Sequence, residues 1–418
     1  MRNSFIDRIL SIDSRFDNKT HISWDVLNHE TNIKTSFPVK LDALMYQRTL
    51  PHATVYFNWY EDLFKSFPFF QEPTETLEEL KKQRALEIRN DYSYVRFWFS
   101  GGSDSTTALN AFLDNDIKID EIVIYSWPDK NVSDPLMSSN RELMLSAIPY
   151  LQFRKDKLTN TKINNITLTK EEYSGVLSGP DKLGHIPFMH SMDSGSFLYG
   201  LNSSQYVWDK VLRETEHEDF CDVFGGTKAF VCNNNGDYYM YMSDGGIPDM
   251  ALGKRSEDFF ISRRDPRLFI KTAHLLKNYA KLSNMSPAAV RTLQRSTEKN
   301  PEYNFALGRD TPFNNVANYK ADRGSGFYSA EVGTYIKNYK NYLLVKNLSV
   351  DDEWRRLFLK HQENLRIMKT DYSWIWNNNE LGEPDPRSGY IGHISKLYSL
   401  DRYYIGDTTD VYKDGFAG

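Results

Sequence analysis

The sequence predicts an α/β protein that contains a doubly wound parallel sheet. Between residues 94 and 224, short apolar and β-branched runs that suit buried strands alternate with longer segments whose apolar residues recur at helical spacing. Since strands that are separated by helices usually pair in parallel, this alternation indicates one sheet with helices on both faces. The length of 418 residues allows two or three domains.

Four strands of the sheet can be located from their composition. The first, Tyr94–Phe99, is aromatic and β-branched and precedes a glycine-rich turn, and the fourth, Phe220–Phe224, ends at a pair of glycines. In chain order we predict a strand at 94–99, a helix at 104–114, a strand at 121–126, a helix at about 138–151, a strand at 165–168, a helix near 203–214 and a strand at 220–224.

The flanking regions do not follow this alternation. Residues 1–75 mix short strand-like runs with aromatic loops, which indicates a small N-terminal α+β region. A hairpin is predicted around Asn233–Asp237, and the pattern after about residue 254 is mainly helical. We therefore divide the chain into the N-terminal region, a central sheet domain at 76–250, and a mainly helical region at 251–418 for a substrate or partner.

Composition excludes several classes of protein. A formal net charge of −5 and an isoelectric point near 6.0 argue against a nucleic-acid coat protein or a polybasic membrane binder. No apolar run reaches the roughly 18 residues of a membrane span, and the first residues lack the apolar core of a signal peptide. The two cysteines, Cys221 and Cys232, fit a reducing compartment. We expect a cytoplasmic protein with no membrane contact, and the sequence does not indicate an oligomeric state.

The stretch Ser100–Thr106 joins the first predicted strand to the helix that follows it. Two glycines allow the backbone to turn tightly and to approach an anion closely. Hydroxyl groups and free N–H groups at a helix start can hold phosphate oxygens. The stretch thus predicts a phosphate-binding loop, and the alternative is an ordinary Gly-Ser turn that caps a helix. The groups concerned are the hydroxyls of Ser100, Ser105 and Thr106 and the N–H groups of Gly101, Gly102 and Ser103.

The hexapeptide Ser100–Ser105 reads SGGSDS and follows a hydrophobic strand. It resembles the SGGxDS signature of the PP-loop, which marks the N-type ATP pyrophosphatases of the adenine nucleotide alpha-hydrolase-like superfamily. That group includes asparagine synthetase, lysidine synthetase and deazaguanine nitrile synthase. The resemblance covers residues 94–235 and implies a five-stranded, doubly wound, HUP-like sheet with strand order 3-2-1-4-5. It also implies cleavage of ATP between the α and β phosphates, adenylation of a carbonyl or carboxylate oxygen, and displacement of AMP by a nucleophile.

The resemblance implies ATP and Mg²⁺ as ligands and assigns roles to single residues. Asp104 would orient Mg²⁺, directly or through water, and its alternative role is a cap of the helix. In the implied strand order, Gly225 and Gly226 would lie beside the loop and contact the same phosphates. Lys228, in the same turn, would neutralise the leaving pyrophosphate, or it is a surface lysine after a turn.

Further candidates lie along the same rim of the predicted sheet. The resemblance places adenine at the ends of the first two strands, near Tyr125 and Ser126, although an aromatic residue there is equally consistent with the core. His190 follows the third predicted strand, and a histidine can act as a base near neutral pH. A lone histidine is more often structural, so both roles stay open for His190.

Absences narrow the choice within the resembled family. Residue 2 is Arg, so the N-terminal cysteine nucleophile of glutamine-hydrolysing asparagine synthetases is missing. Two cysteines cannot build the zinc site of the deazaguanine synthase or an iron–sulfur cluster for thiolation. A persulfide relay through Cys221 and Cys232 remains open, although Cys221 falls inside a predicted buried strand.

One stretch departs from the acidic average. Between Lys254 and Arg295 there are ten Lys or Arg against three acids, a pattern that suits tRNA binding or a solvated face paired with acids elsewhere.

The leading prediction is an ATP-dependent, AMP-forming ligase or modifying enzyme whose activated acceptor, a small molecule or a protein, is attacked by an amine or ammonia. The alternatives are a tRNA- or nucleobase-modifying enzyme and a non-catalytic ATP-binding partner or sensor subunit.

Overall fold

A computed structural model describes residues 22–37, 46–47, 49–126, 140, 143–167, 219–225, 229–234, 236–242, 256–286 and 395–406. In chain order, the elements of these ranges are β1 (Ile22–Asn28), β2 (Ile33–Phe37), β3 (Ala53–Trp59), α1 (Glu61–Lys65), α2 (Leu77–Asp91), β4 (Tyr94–Trp98), α3 (Ser103–Leu113), β5 (Glu121–Ser126), a π-helix (Leu143–Ala147), α4 (Ile148–Phe153), a 3₁₀ helix (Lys155–Leu158), β6 (Lys162–Thr167), β7 (Phe220–Phe224), β8 (Phe230–Asn234), β9 (Asp237–Tyr241), β10 (Ser256–Asp258), α5 (Arg267–Leu282), β11 (Leu397–Ser399) and β12 (Ile405–Gly406).

Five parallel strands form the central sheet in the order β10-β7-β4-β5-β6. The predicted α/β class with an all-parallel sheet is therefore confirmed. Strands β5 and β7 have the predicted bounds, whereas β6 begins at Lys162 rather than at Asn165. The fifth strand, β10, lies beyond residue 250, where the sequence suggested a domain boundary. The predicted helix at 203–214 lies outside the described residues.

One face of this sheet carries the main hydrophobic core. Val95, Phe97 and Phe99 point from β4 and its end into a cluster that also receives side chains from α2 and α3. The ring of Phe97 meets the ring of Phe112 on α3 edge-on, with centroids 6.1 Å apart. Because alternate residues of a strand face opposite sides, Arg96 and Trp98 lie on the other face.

A buried ion pair joins the two central strands on that second face. Arg96 on β4 is paired in register with Asp222 on β7, and the two residues are 1% and 0% exposed. The guanidinium of Arg96 donates Nε to Oδ1 at 2.6 Å and Nη2 to Oδ2 at 2.9 Å. The indole Nε1 of Trp98 donates to the same carboxylate at 2.7 Å. A bidentate hydrogen bond between charged groups fixes the relative position of the two strands, and each group neutralises the charge of the other.

A second buried network attaches α2 to β10. Arg84 donates to the Glu257 carboxylate and to the Asp258 carbonyl, both at 2.8 Å. The hydroxyl of Tyr92 donates to the other oxygen of Glu257 at 2.9 Å, and Arg263 lies 3.5 Å from it. Burial opposes ionisation of Glu257, but the charges of Arg263 and Arg84 outweigh it and lower the pKa of this carboxyl. The network therefore keeps a charged Glu257 inside the protein.

The described residues also form two antiparallel sheets. The first has the order β2-β1-β3, and the second has the order β12-β11-β9-β8 and contains the predicted hairpin as β8 and β9. Within the described part of 251–418, short strands accompany α5, so a mainly helical region is not confirmed there. The Lys277 ammonium on α5 donates to the Leu400 carbonyl at 2.6 Å and ties the helix to the chain after β11. No helix among the described residues is long and apolar enough to cross a bilayer.

Replacing Arg96 by methionine should destabilise the fold strongly. The substitution leaves the Asp222 carboxylate buried without its cation, a change that typically costs about 3–5 kcal/mol. We expect the free energy of unfolding, measured by urea denaturation, to fall by that amount. Lys157→Met removes one partner of the exposed Lys157–Asp116 pair and should leave the midpoint almost unchanged. An equal loss of unfolding free energy in the two variants would show that the buried pair stabilises the fold no more than the exposed pair does.

Candidate functional site

The loop Ser100–Gly102 connects β4 to α3 at the carboxyl end of the central strand. Gly101 has a φ of +78°, a left-handed conformation that glycine adopts with little strain. Gly102 is the N-cap of α3, with an extended ψ of 166°, and it has no side chain with which to cap the helix. The first N–H groups of α3 therefore lack the side-chain cap that Ser, Thr or Asp usually supplies.

Three chain segments meet at this loop with little space between them. A Cβ added to Gly101 would lie 2.7 Å from the backbone nitrogen of Ala147 in the π-helix. A Cβ added to Gly225, directly after β7, would lie 2.9 Å from the Asp104 carbonyl oxygen and 2.9 Å from Ser105 Cα. The structure thus brings Gly225 against the start of α3, the position that the implied strand order gave it.

Two serine hydroxyls close a small ring of hydrogen bonds across the loop. The hydroxyl of Ser105 donates to the Gly102 carbonyl at 3.1 Å, so Ser100 is the donor in the 3.0 Å contact between the two hydroxyls. The N–H of Gly102 in turn donates to the Ser100 oxygen at 3.3 Å. Both hydroxyls and this N–H therefore gather on one side of the loop.

The first turn of α3 contains two further polar side chains. Thr106 is buried, and its Oγ1 has no hydrogen-bond partner among the described residues. A buried hydroxyl without a partner is costly, so such a group is a reason to expect a bound ligand. Asp104 is half-buried in the same turn, with its Oδ1 atom shielded from solvent. The positive end of the helix dipole at this point favours an anion.

The rim residues Tyr125 and Ser126 lie at the carboxyl end of β5, beside the loop strand. The Tyr125 ring meets the Trp98 ring at 64° with centroids 6.4 Å apart, and Trp98 stacks on Phe224 at 5.7 Å. The hydroxyl of Ser126 donates to Thr167 Oγ1 at 3.1 Å. Both candidate residues are half-buried, so the sheet end offers an aromatic and hydroxyl-bearing edge next to the loop.

Several candidates from the sequence lie outside the described residues, namely Gly226, Lys228 and His190. For Ser103 the structure describes the backbone at the start of α3. Among the described residues, no group of three or more His, Cys, Asp or Glu is arranged to hold a metal ion. Cys221 and Cys232 are both buried, and burial raises the pKa of the Cys221 thiol well above its usual value. A persulfide relay through Cys221 is therefore disfavoured.

The basic stretch 254–295 is largely neutralised where the structure describes it. Each of its described Lys and Arg side chains lies within 4 Å of a carboxylate, a geometry that favours a structural role over an open nucleic-acid surface. The pairs are Arg263 with Glu257, Arg264 with Asp91, Arg267 with Asp265 and Glu75, Lys271 with Glu72, and Lys277 and Lys281 with Asp401.

Sequence reasoning missed two residues that shape the loop. The hydroxyl of Ser146, which is buried, donates to the Gly101 carbonyl at 2.6 Å, and the neighbouring Ala147 fills the space beside Gly101. A helix was predicted over this stretch, but a serine and an alanine inside a helix carry no signal of a contact 45 residues away. A π-helix is rare in proteins, and those that occur often lie near functional sites. It has no recognisable sequence pattern either.

Replacing Gly101 by alanine should destabilise the protein more than the same change at Gly236. Both glycines have positive φ, so each alanine costs roughly 1–2 kcal/mol of backbone strain. Only at Gly101 would the new methyl group collide with backbone atoms, because nothing lies within 4 Å of the corresponding position at Gly236. Thermal unfolding of the two variants measures the difference, and equal shifts would contradict the close approach of Ala147.

Comparison with models of known protein families gives no match, and comparison with curated protein sequences gives none either. The geometry of the loop and of its neighbours is therefore what bears on the function of this chain.

Proposed function

We propose that the chain is an ATP-dependent, AMP-forming enzyme of the N-type ATP pyrophosphatase class. The observation that carries this proposal is the glycine loop at the carboxyl end of β4, where Gly225 from the neighbouring strand packs against the first turn of α3. Helix α3 presents N–H groups without a side-chain cap there, next to two serine hydroxyls and the buried Thr106 hydroxyl. Such an arrangement suits a polyphosphate.

The order of the parallel strands supports the same proposal. Counted over the described strands alone, β6-β5-β4-β7-β10 is compatible with the 3-2-1-4-5 order that the resemblance implies. The direction of winding then reverses between β4 and β7. In open α/β sheets, ligands bind beyond the carboxyl ends of the strands at such a reversal. The loop and Gly225 lie at this point.

The proposed roles follow from the positions of the described groups. The hydroxyls of Ser100, Ser105 and Thr106 and the N–H groups of Gly101, Gly102 and Ser103 would hold the phosphate oxygens. Asp104 fits a Mg²⁺ ion that is bound mainly by phosphates and water, because such sites usually take only one or two carboxylates. When bound, Mg²⁺ supplies charge neutralisation on the phosphates. Lys228 and His190 remain candidates for neutralising the pyrophosphate and for base catalysis.

The proposed reaction has two steps. A carbonyl or carboxylate oxygen of the acceptor attacks the α-phosphorus of ATP, the bond from that phosphorus to the bridging oxygen breaks, and pyrophosphate leaves. An amine or ammonia then attacks the activated carbon, loses a proton, and displaces AMP. The main contribution of the loop is alignment, which can be worth an effective concentration of about 10⁵ M or more. The paired cations of 254–295 make a small-molecule or protein acceptor the preferred class over tRNA.

Ser105→Ala should weaken both MgATP binding and pyrophosphate release. Loss of one positioned hydroxyl from such a site typically lowers turnover by about 10²-fold. Calorimetry gives the affinity, and a coupled assay with a pool of small-molecule acceptors gives pyrophosphate. Ser399→Ala is the control, since it removes a fully buried hydroxyl from β11 in another sheet. If the wild-type chain binds ATP but releases no pyrophosphate with any acceptor, the sensor-subunit alternative replaces the enzyme.

Asp104→Asn should raise the Mg²⁺ concentration needed for half-maximal ATP binding. The amide keeps the size and hydrogen-bonding capacity of the side chain but removes the negative charge that a divalent cation prefers. Titration with Mg²⁺ at fixed ATP measures the shift. An unchanged Mg²⁺ requirement would mean that Asp104 does not hold the cation.

A further inference from the structure

The π-helix and α4 contact both the proposed phosphate-binding loop and the helix α3 that follows it. Ser146 and Ala147 contact Gly101. The hydroxyl of Tyr150 and the guanidinium of Arg154 both donate to Oδ1 of Asn110 on α3, the latter at 3.0 Å. The π-helix and α4 are continuous in the chain, so one segment contacts both the loop before α3 and the middle of α3.

We propose that Ser146 is a positioning residue for ATP, acting through the Gly101–Gly102 peptide. This inference rests on the proposed ATP site and adds a residue from outside the loop to it. Because the peptide bond is trans, the Gly101 carbonyl and the Gly102 N–H point in opposite directions. Ser146 holds the carbonyl at 2.6 Å on the π-helix side, so the Gly102 N–H is turned toward the hydroxyls of Ser100 and Ser105.

The alternative orientation of this peptide would oppose phosphate binding. Two consecutive glycines leave the peptide between them free to rotate, since neither residue has a Cβ that restricts φ and ψ. A half-turn would direct the Gly101 carbonyl oxygen at the anion and withdraw the Gly102 N–H from it. The Ser146 hydroxyl, buried beside Ala147, selects the orientation in which the Gly102 N–H faces the binding side of the loop, where it donates to Ser100 Oγ until a phosphate oxygen takes that place. The loop is then pre-organised before ATP arrives, which lowers the entropic cost of binding.

The π-helix gives this contact its place in the fold. Ser146 and Ala147 are consecutive: the hydroxyl of Ser146 donates to the Gly101 carbonyl, and the backbone nitrogen and Cα of Ala147 occupy the space that a Cβ on Gly101 would need. The wide turn Leu143–Ala147 runs directly into α4, whose first residues include Pro149. The clamp on Asn110 by Tyr150 and Arg154 therefore begins one turn after the contact with the loop.

Ser146→Ala separates a positioning role from a merely structural one when it is compared with Ser395→Ala. Ser395 is also buried and also donates its hydroxyl to a backbone carbonyl, that of Lys396 at 2.9 Å, but it lies before β11. We expect both variants to lose similar thermal stability. Only Ser146→Ala should weaken binding of MgATP and of inorganic pyrophosphate, by about 10- to 10²-fold, as expected when one hydrogen bond to a charged group is lost.

A second variant keeps the test valid if Ser146→Ala does not fold. Ser146→Cys is close in size and retains a weak donor, so it should fold and bind both ligands with an affinity between those of the alanine variant and the wild type. Wild-type affinity in a folded Ser146→Ala or Ser146→Cys variant would overturn the positioning role and leave the ATP site intact. If the wild-type chain binds neither MgATP nor pyrophosphate, the ATP site fails and the positioning role fails with it.

Discussion

The pairing of Arg96 with Asp222 is the constraint on which the arrangement of the loop depends. Both side chains are buried, and each belongs to one of the two strands from which the loop and Gly225 emerge. Strands β4 and β7 are parallel, so a shift of one residue in their register would break this charged contact and displace one loop relative to the other. Trp98, the last residue of β4, donates a third hydrogen bond to the same carboxylate. The pairing of β4 with β7 thus determines the position of the candidate site.

Above that pair, the loop is organised by contacts that leave no room for side chains. Gly101 is pressed against Ala147, and Gly225 is pressed against the first turn of α3. The same closeness directs backbone N–H groups and hydroxyls toward one side, because the carbonyl oxygens are used inside the protein. The tight packing of the loop is therefore what places its hydrogen-bond donors together on one side.

The sequence predicted the central strands and the loop well because both are determined locally. Aromatic and β-branched runs such as Glu121–Ser126 suit a buried strand wherever they occur, and paired glycines between a strand and a helix restrict the backbone to a few turns. The position of Gly225 beside the loop followed from the strand order that the resemblance implied. What escaped prediction depends on tertiary contacts: the role of Ser146, the π-helix, and the joining of β10 to the sheet. The stretch 254–295 showed a similar limit, since carboxylates that pair with its cations lie up to 199 residues away in other elements, and composition does not reveal such pairs.

The place of β10 in the sheet has a consequence for how the protein is made. Arg84 on α2 is synthesised long before Glu257, its buried partner, which is separated from it by 173 residues. Until that later segment leaves the ribosome, a guanidinium that becomes buried has only the partly exposed carboxylate of Glu87, three residues on, to pair with, and the edge of β7 has no β10 beside it. The growing chain therefore carries a parallel sheet that lacks β10 at one edge, and an unpaired edge of this kind favours association with a chaperone or with another nascent chain. Closure of that edge would be among the last events of folding.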